Sequence, residues 1–291
     1  MSQYATENLI KKVPGFSSCF QKVNDINLHY VLGGSGEPLL LLPGWPQTWW
    51  SFRHIMTALA EKYTVIVVDL RGMGDSDKPV EGYSKRNMAG DINELTLALG
   101  YDRVHVAGHD IGANVAYSFA VNHPEKTNKL ILLDTPPPEE NMYRLPMLPV
   151  GAPVYPWWVA FNQVDDLPVQ LLEGRFGLLL DHLLDKLLIN KEAINDFDRS
   201  VYLQHYNKKE NIRASNAWYQ TFVQDISEQK TYPKIKAPTK GMASSAGFGI
   251  LDDFLSRNVL EYEMMEIEGA GHFLHEEKPE QIVKAISEFL D

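Results

Sequence analysis

The residues best suited to chemistry lie in Val104-His105-Val106-Ala107-Gly108-His109-Asp110-Ile111-Gly112-Ala113, which reads as a strand, then Gly-x-Asp-x-Gly, then a helix. Glycines on both sides of the middle residue permit a sharp strand-to-helix turn that holds Asp110 exposed and strained, and the positive end of the helix dipole favours an anion there. Asp is also a favoured helix N-cap, so the pattern alone weighs capping equally with chemistry. A carboxylate with an ordinary pKa of about 4 is ionised at pH 7 and attacks without a base, as a serine hydroxyl does not. A second candidate, His272, follows Gly269-Ala270-Gly271 after the last strand-like run, at the sheet edge where parallel α/β sheets bind ligands. His54, His123 and His275 lack such a setting and read as core or surface histidines. Scattered His and Asp residues lack ligand spacing on a shared element, so neither a metal nor a cofactor is expected.

Positioning these residues takes a sheet and its helices. Phe16 to Gly33 reads as a hairpin turning at Asn24-Asp25, which suits an antiparallel edge. Then Pro38–Leu42, Thr64–Asp69, Arg103–Ala107 and Lys129–Leu133 read as buried strands. They alternate with helical spacing over Trp49–Leu59, Ser84–Leu99 and Ala113–Val121, which predicts a parallel sheet covered on both faces. The alternation breaks at Thr135-Pro136-Pro137-Pro138. From there to about Lys230 the chain is Leu- and Trp-rich and helical, an inserted cap over 137–230 on a core of 1–136 and 231–291. Within it, Leu178–Leu188 carries Asp and Lys every three to four positions, as an ordinary amphipathic helix does. Ala237–Ser244 and Tyr262–Ile267 resume the strands, with helices near Leu251–Arg257 and Pro279–Leu290.

Composition narrows the function classes. The chain has 291 residues, is 44% hydrophobic and has a formal charge of -11. It can bury one sizeable core, and the negative charge disfavours a phosphate-binding surface, so no nucleic-acid partner is expected. Cys19 is the single cysteine, which excludes an internal disulfide and suits a reducing compartment. Met1–Lys12 offers no apolar secretion segment, and no stretch approaches the roughly 20 apolar residues of a membrane span. The expectation is a cytoplasmic protein with no membrane partner. The sequence leaves the oligomeric state open, a homodimer included.

Two further turns stand in order with the elbow. Leu40-Leu41-Leu42-Pro43-Gly44-Trp45-Pro46 ends the third strand, and Asp69-Leu70-Arg71-Gly72-Met73-Gly74-Asp75-Ser76 ends the fourth. With Gly269-Ala270-Gly271-His272-Phe273, these segments resemble the α/β-hydrolase fold. Within it they resemble the epoxide hydrolase and haloalkane or haloacetate dehalogenase branch, where Asp replaces Ser at the elbow. The resemblance covers nearly the whole chain. It implies that His272 is the catalytic histidine and that the amides of Trp45 and Ile111 form an oxyanion hole. The Trp45-Pro46 bond suits a cis peptide, as tight X-Pro turns do. Pro43 replaces the family's usual His, which predicts looser hydrogen bonding in that turn.

The triad acid has two placements in the family. Counting from Pro238 along the penultimate strand reaches Gly247, which has no carboxylate, and Asp252 and Asp253 fall on the following helix as solvent-facing or capping residues. The other placement, at the end of the strand before the cap, is Asp134, which would orient His272 and stabilise its protonated form.

Attack by Asp110 on an electrophilic sp³ carbon gives an alkyl ester, which His272 would hydrolyse by deprotonating water. An epoxide oxygen then needs a proton from an acid such as Tyr, whereas a halide needs only weak donors such as indole N–H groups. By resemblance, the late-cap pair Trp218-Tyr219 supplies that tyrosine as Tyr219, with aromatic packing as the alternative. Trp157-Trp158 occupies the place of the second leaving-group donor, which keeps a halide pocket open, and Tyr143 and Tyr155 are substitute acids. Haloacetate dehalogenases place Arg after the nucleophile and again three positions later, where this chain has Ile111 and Asn114. A carboxylate substrate is therefore not expected. The reading is an epoxide hydrolase acting on a small apolar electrophile. A dehalogenase is second, and a non-catalytic ligand-binding relative is the alternative of another class.

Overall fold

The computed structural model describes residues 2–144 and 156–291. Eight strands form one sheet: β1 (Phe16–Val23), β2 (Ile26–Gly34), β3 (Glu37–Leu42), β4 (Tyr63–Val68), β5 (Val104–His109), β6 (Thr127–Leu133), β7 (Thr239–Ala243) and β8 (Tyr262–Glu266). Their order is β1-β2-β4-β3-β5-β6-β7-β8. The first hairpin turns at Asn24 and Asp25, with φ of 40° and 63°, a left-handed region that Asn and Asp tolerate. β2 pairs antiparallel with β4, and all later pairings are parallel. The central strands β3 and β4 are continuous apolar runs because helices cover both faces there, and Leu39–Leu42 and Val65–Val68 are wholly buried.

The order places β3 between β4 and β5, so the chain leaves β3 toward one side of the sheet and later returns on the other. Such a switch point opens a crevice at the carboxyl ends of the strands. The β3 turn at Gly44-Trp45 and the β5 elbow at Asp110 both face it. Two element readings are adjusted. Trp49–Leu59 starts as a 3₁₀ turn, Trp49–Phe52, before the α-helix Arg53–Leu59, because Thr48 caps the tighter turn by accepting from the Trp50 amide. Asp252 and Asp253 lie on a helix beginning earlier, at Phe248.

Between β6 and β7 the described residues are helical. The helix Phe176–Leu187 buries Leu179, Leu180, Leu183 and Leu184, while Asp181 and Asp185 face outward, as amphipathic spacing requires. Buried charges fasten these helices to the sheet layer. Lys85 pairs with Asp225 at 2.8 Å and also donates to the Trp218 carbonyl at 2.6 Å. Arg53 bridges Asp198 at 2.8 Å and Glu276 at 2.5 Å. Removing one partner of such a pair strands the other charge in a dry interface, at about 3–5 kcal/mol. Among the described residues no helix is long and apolar enough to cross a membrane.

Candidate active site

The elbow is held by crowding. Asp110 adopts φ 52°, ψ −119°, a conformation that costs a non-glycine residue on the order of 1–3 kcal/mol. It persists because the β3 and β5 turns touch: a Cβ at Gly112 would run into the Leu42 carbonyl, and one at Gly44 into the Asp110 side chain. The Trp45 amide donates to Asp110 Oδ1 at 2.8 Å, leaving Oδ2 toward the cavity. Ile111 is the first residue of the helix Ile111–Asn122, so its amide has no partner within that helix and is free to serve as the second donor. The Trp45-Pro46 peptide is cis, and the turn is closed by the Gln47 amide on the Gly44 carbonyl at 3.0 Å, so Pro43 does not leave it open.

Behind Asp110 stands His272. Its Nδ1 donates to Asp134 Oδ2 at 2.7 Å, and its Nε2 lies 3.6 Å from Asp110 Oδ2. Asp134, with φ 60°, is fixed at the end of β6 by its own amide on the Met242 carbonyl (2.8 Å) and by the Ser244 amide on its Oδ1 (2.7 Å). Asp252 instead accepts from the Tyr262 hydroxyl, and Asp253 from Arg257. Burial alone would lower the His272 pKa, but the carboxylates of Asp110 and Asp134 outweigh it and raise it to about 10. Burial likewise opposes ionisation of Asp110, yet the hydrogen bond and charge of His272 and the Trp45 amide hold its pKa below the ordinary value.

These shifts have a stability signature. A histidine raised from 6.5 to about 10 contributes stability that is complete below about pH 6.5 and lost as pH rises toward 10. The Tm deficit of His272→Gln relative to the native protein is expected to be widest near about pH 6 and to shrink by about pH 9.5. Thermal melts across that range check it, and a deficit that grows with pH contradicts the charged imidazolium.

The crevice opens into a cavity of about 410 Å³ that Asp110, Ile111, His272 and Tyr219 line together with Pro136, Met142, Trp158, Val159 and Phe222. Tyr219 is 2% exposed, its hydroxyl has no hydrogen-bond partner among the described residues, and its ring meets Trp45 edge-on at 5.6 Å. Burial, then the Asp110 charge, raises its pKa well above the ordinary value. The tryptophan pair divides. Trp158 lines the cavity, whereas Trp157 does not and packs against Phe161 and His182, because adjacent helical residues point about 100° apart. Tyr143 is 58% exposed and lines nothing here, and Tyr155 lies outside the described residues. Besides His272, the charged residues among the described lining are Asp110, Glu139 and Asp253.

Residues 37–239 match the model of the alpha/beta hydrolase fold family. The chain belongs to that family. This α/β-hydrolase is 34% identical over 278 residues to the soluble epoxide hydrolase of Corynebacterium sp. (strain C12), covering 92% of this chain and 94% of that protein. It is 32% identical to the solved structure of epoxide hydrolase CorEH without ligand, with a TM-score of 0.87 over 94% of this chain and 98% of the other. A fluoroacetate dehalogenase from Burkholderia sp. is 41% identical over 128 residues, 42% of each chain. These similarities put the α/β-hydrolase in the epoxide hydrolase and dehalogenase branch.

Sequence reasoning missed several residues of the hydrolase site. Asn114 lines the cavity and donates to the Asp110 carbonyl at 3.1 Å and the Pro136 carbonyl at 3.3 Å. Its i+4 spacing from Asp110 was the available signal. His109 donates from Nε2 to the His272 carbonyl at 2.9 Å, and burial keeps it neutral by lowering its pKa well below 6.5. Asp253, read as solvent-facing or capping, is exposed as that reading has it, and it also borders the cavity.

Proposed function

We propose that this hydrolase opens epoxides to vicinal diols through an ester on Asp110, with the helices of 137–230 acting as a cap over the core of 1–136 and 231–291. The observation that carries this reading is a buried phenol, Tyr219, with no hydrogen-bond partner among the described residues, in the cavity that also holds the Asp110 carboxylate. Nucleophile and acid can then act on one small ring. Asp110 Oδ2 bonds to carbon as the C–O bond breaks, and the alkoxide takes the Tyr219 proton. Alkylation discharges Asp110, which removes one of the two charges holding His272 protonated, so that its proton passes to the Tyr219 phenolate and the neutral ring can act as a base. It also removes the charge that opposes ionisation of Tyr219.

In the second half, water attacks the Asp110 carbonyl carbon while His272 takes its proton and Asp134 keeps the ring oriented. The negative oxygen develops at Oδ1, where the Trp45 amide already points and the Ile111 amide is available. Collapse releases the diol, whose leaving oxygen takes the proton of the new carboxyl group, and restores the Asp110 carboxylate beside a protonated His272. In single turnover in ¹⁸O water with styrene oxide, the expected result is unlabelled diol and label in the Asp110 peptide. Label in the first-turnover diol would mean direct attack by water and would overturn the ester route.

Trp158 favours a second reading, since it lines the cavity and an indole N–H is a halide donor. Bromide released from a bromoalkane, without diol from the epoxide, selects it, and neither product selects a ligand-binding relative. Haloacids fit neither case, because no Lys or Arg is among the described residues lining the cavity. A cytoplasmic location suits the unpaired thiol of Cys19.

A further inference from the structure

His272 is gripped from behind by main chain of the cap. Its amide donates to the carbonyl of Leu187, the last residue of the helix Phe176–Leu187, at 2.8 Å. The preceding residue, Gly271, has no room for a Cβ, which would run into that same carbonyl. One turn beyond His272, the buried carboxylate of Glu277 completes the joint. Its Oε1 accepts from the Gly271 amide at 2.9 Å, and its Oε2 from the amides of Ile189 and Asn190 at 2.8 Å each. One side chain thus ties the peptide just before His272 to the two peptides that leave the cap helix. Nothing in the triad or in leaving-group chemistry accounts for this anion.

We propose that Glu277 is a positioning residue that fixes His272 against the cap and thereby sets the rate of ester hydrolysis. The inference rests on the two-step reading above. Only a carboxylate offers acceptors on both oxygens to three converging N–H groups. A glutamine must turn its own NH₂ toward at least one of them. The loop would then shift, and with it the imidazole that has to lie within reach of a water on the Asp110 ester. A displacement of about 1 Å at a reacting group costs on the order of 10²-fold. Attack by Asp110 is spared, because the Asp110 elbow and Tyr219, on the helix Lys209–Gln220, are not held by Glu277.

The test is rapid-quench single turnover of Glu277→Gln with styrene oxide, following ester on Asp110 by mass spectrometry. Hydrolysis slower by about 10–100-fold with alkylation within about 3-fold of native, so that the ester accumulates, is the expected result. Glu277→Asp keeps the charge but pulls the loop by one methylene, and should show a smaller loss confined to the same step. It serves as the test if the glutamine variant does not fold. Unchanged hydrolysis, or equal loss in both steps, overturns the proposal. A native protein that forms no ester overturns the two-step reading itself, an outcome read before any variant is made.

Discussion

His272→Gln is expected to stop the protein half-way, with an alkyl ester on Asp110 that survives denaturation and appears as a mass increase on the peptide carrying residue 110. Attack needs only an ionised carboxylate, and Asp110 stays ionised below its ordinary pKa range because the Trp45 amide and neighbouring positive charge favour the anion. Loss of the imidazolium weakens that preference without removing the amide, so alkylation continues. Hydrolysis does not, since among the described residues the other carboxylates of the cavity, Glu139 and Asp253, are paired with Arg257, while His109 and His275 are buried, held neutral and turned to other contacts. Losing a positioned general base costs about 10²–10⁴-fold. Intact-mass measurement after one addition of styrene oxide decides it. An unmodified His272→Gln protein that still binds substrate would sink the mechanism.

Asp134→Asn should be nearly as damaging for a different reason. Asp134 uses one oxygen for the Ser244 amide and the other for His272 Nδ1. An asparagine keeps its oxygen on the Ser244 N–H and must turn its NH₂ toward the ring. Nδ1 then becomes the acceptor and Nε2 carries the hydrogen, a tautomer that cannot take a proton from water. Loss of the comparable orienting carboxylate in serine proteases lowers kcat by about 10⁴-fold, and a loss of similar order is expected here. Asp252→Asn loses only its bond to the Tyr262 hydroxyl and should stay within about 2-fold of native. Steady-state rates of the two variants, measured side by side, check the choice of acid. A crippled Asp252→Asn with an active Asp134→Asn reverses it.

Much of this site was legible before any coordinates. The apolar runs that became β3 to β6 encode themselves, because a strand buried on both faces admits little else. The elbow is a local motif whose glycines are required by contacts a few residues away in space. His272 was recognisable from its place after the last strand. The cap was less readable. Trp157 and Trp158 looked equivalent in sequence, yet a helix can turn only one of two neighbours toward a cavity, and the packing of Trp157 on Phe161 and His182 decides which. Glu277 carried no local signal at all, since its partners are main-chain amides supplied by the cap.

The sequence by itself carried the family and the kind of chemistry and pointed to Asp110 as the proposed nucleophile, because those readings depend on short patterns of residue type and spacing. Only the tertiary structure decided which carboxylate meets His272, which tryptophan lines the cavity and what holds the histidine loop. Asp134 and His272 are 138 residues apart in the chain. Their 2.7 Å contact exists because β6 and β7 pair in register and set Asp134 beside Ser244 at the sheet edge, a relation between distant strands that no local spacing records.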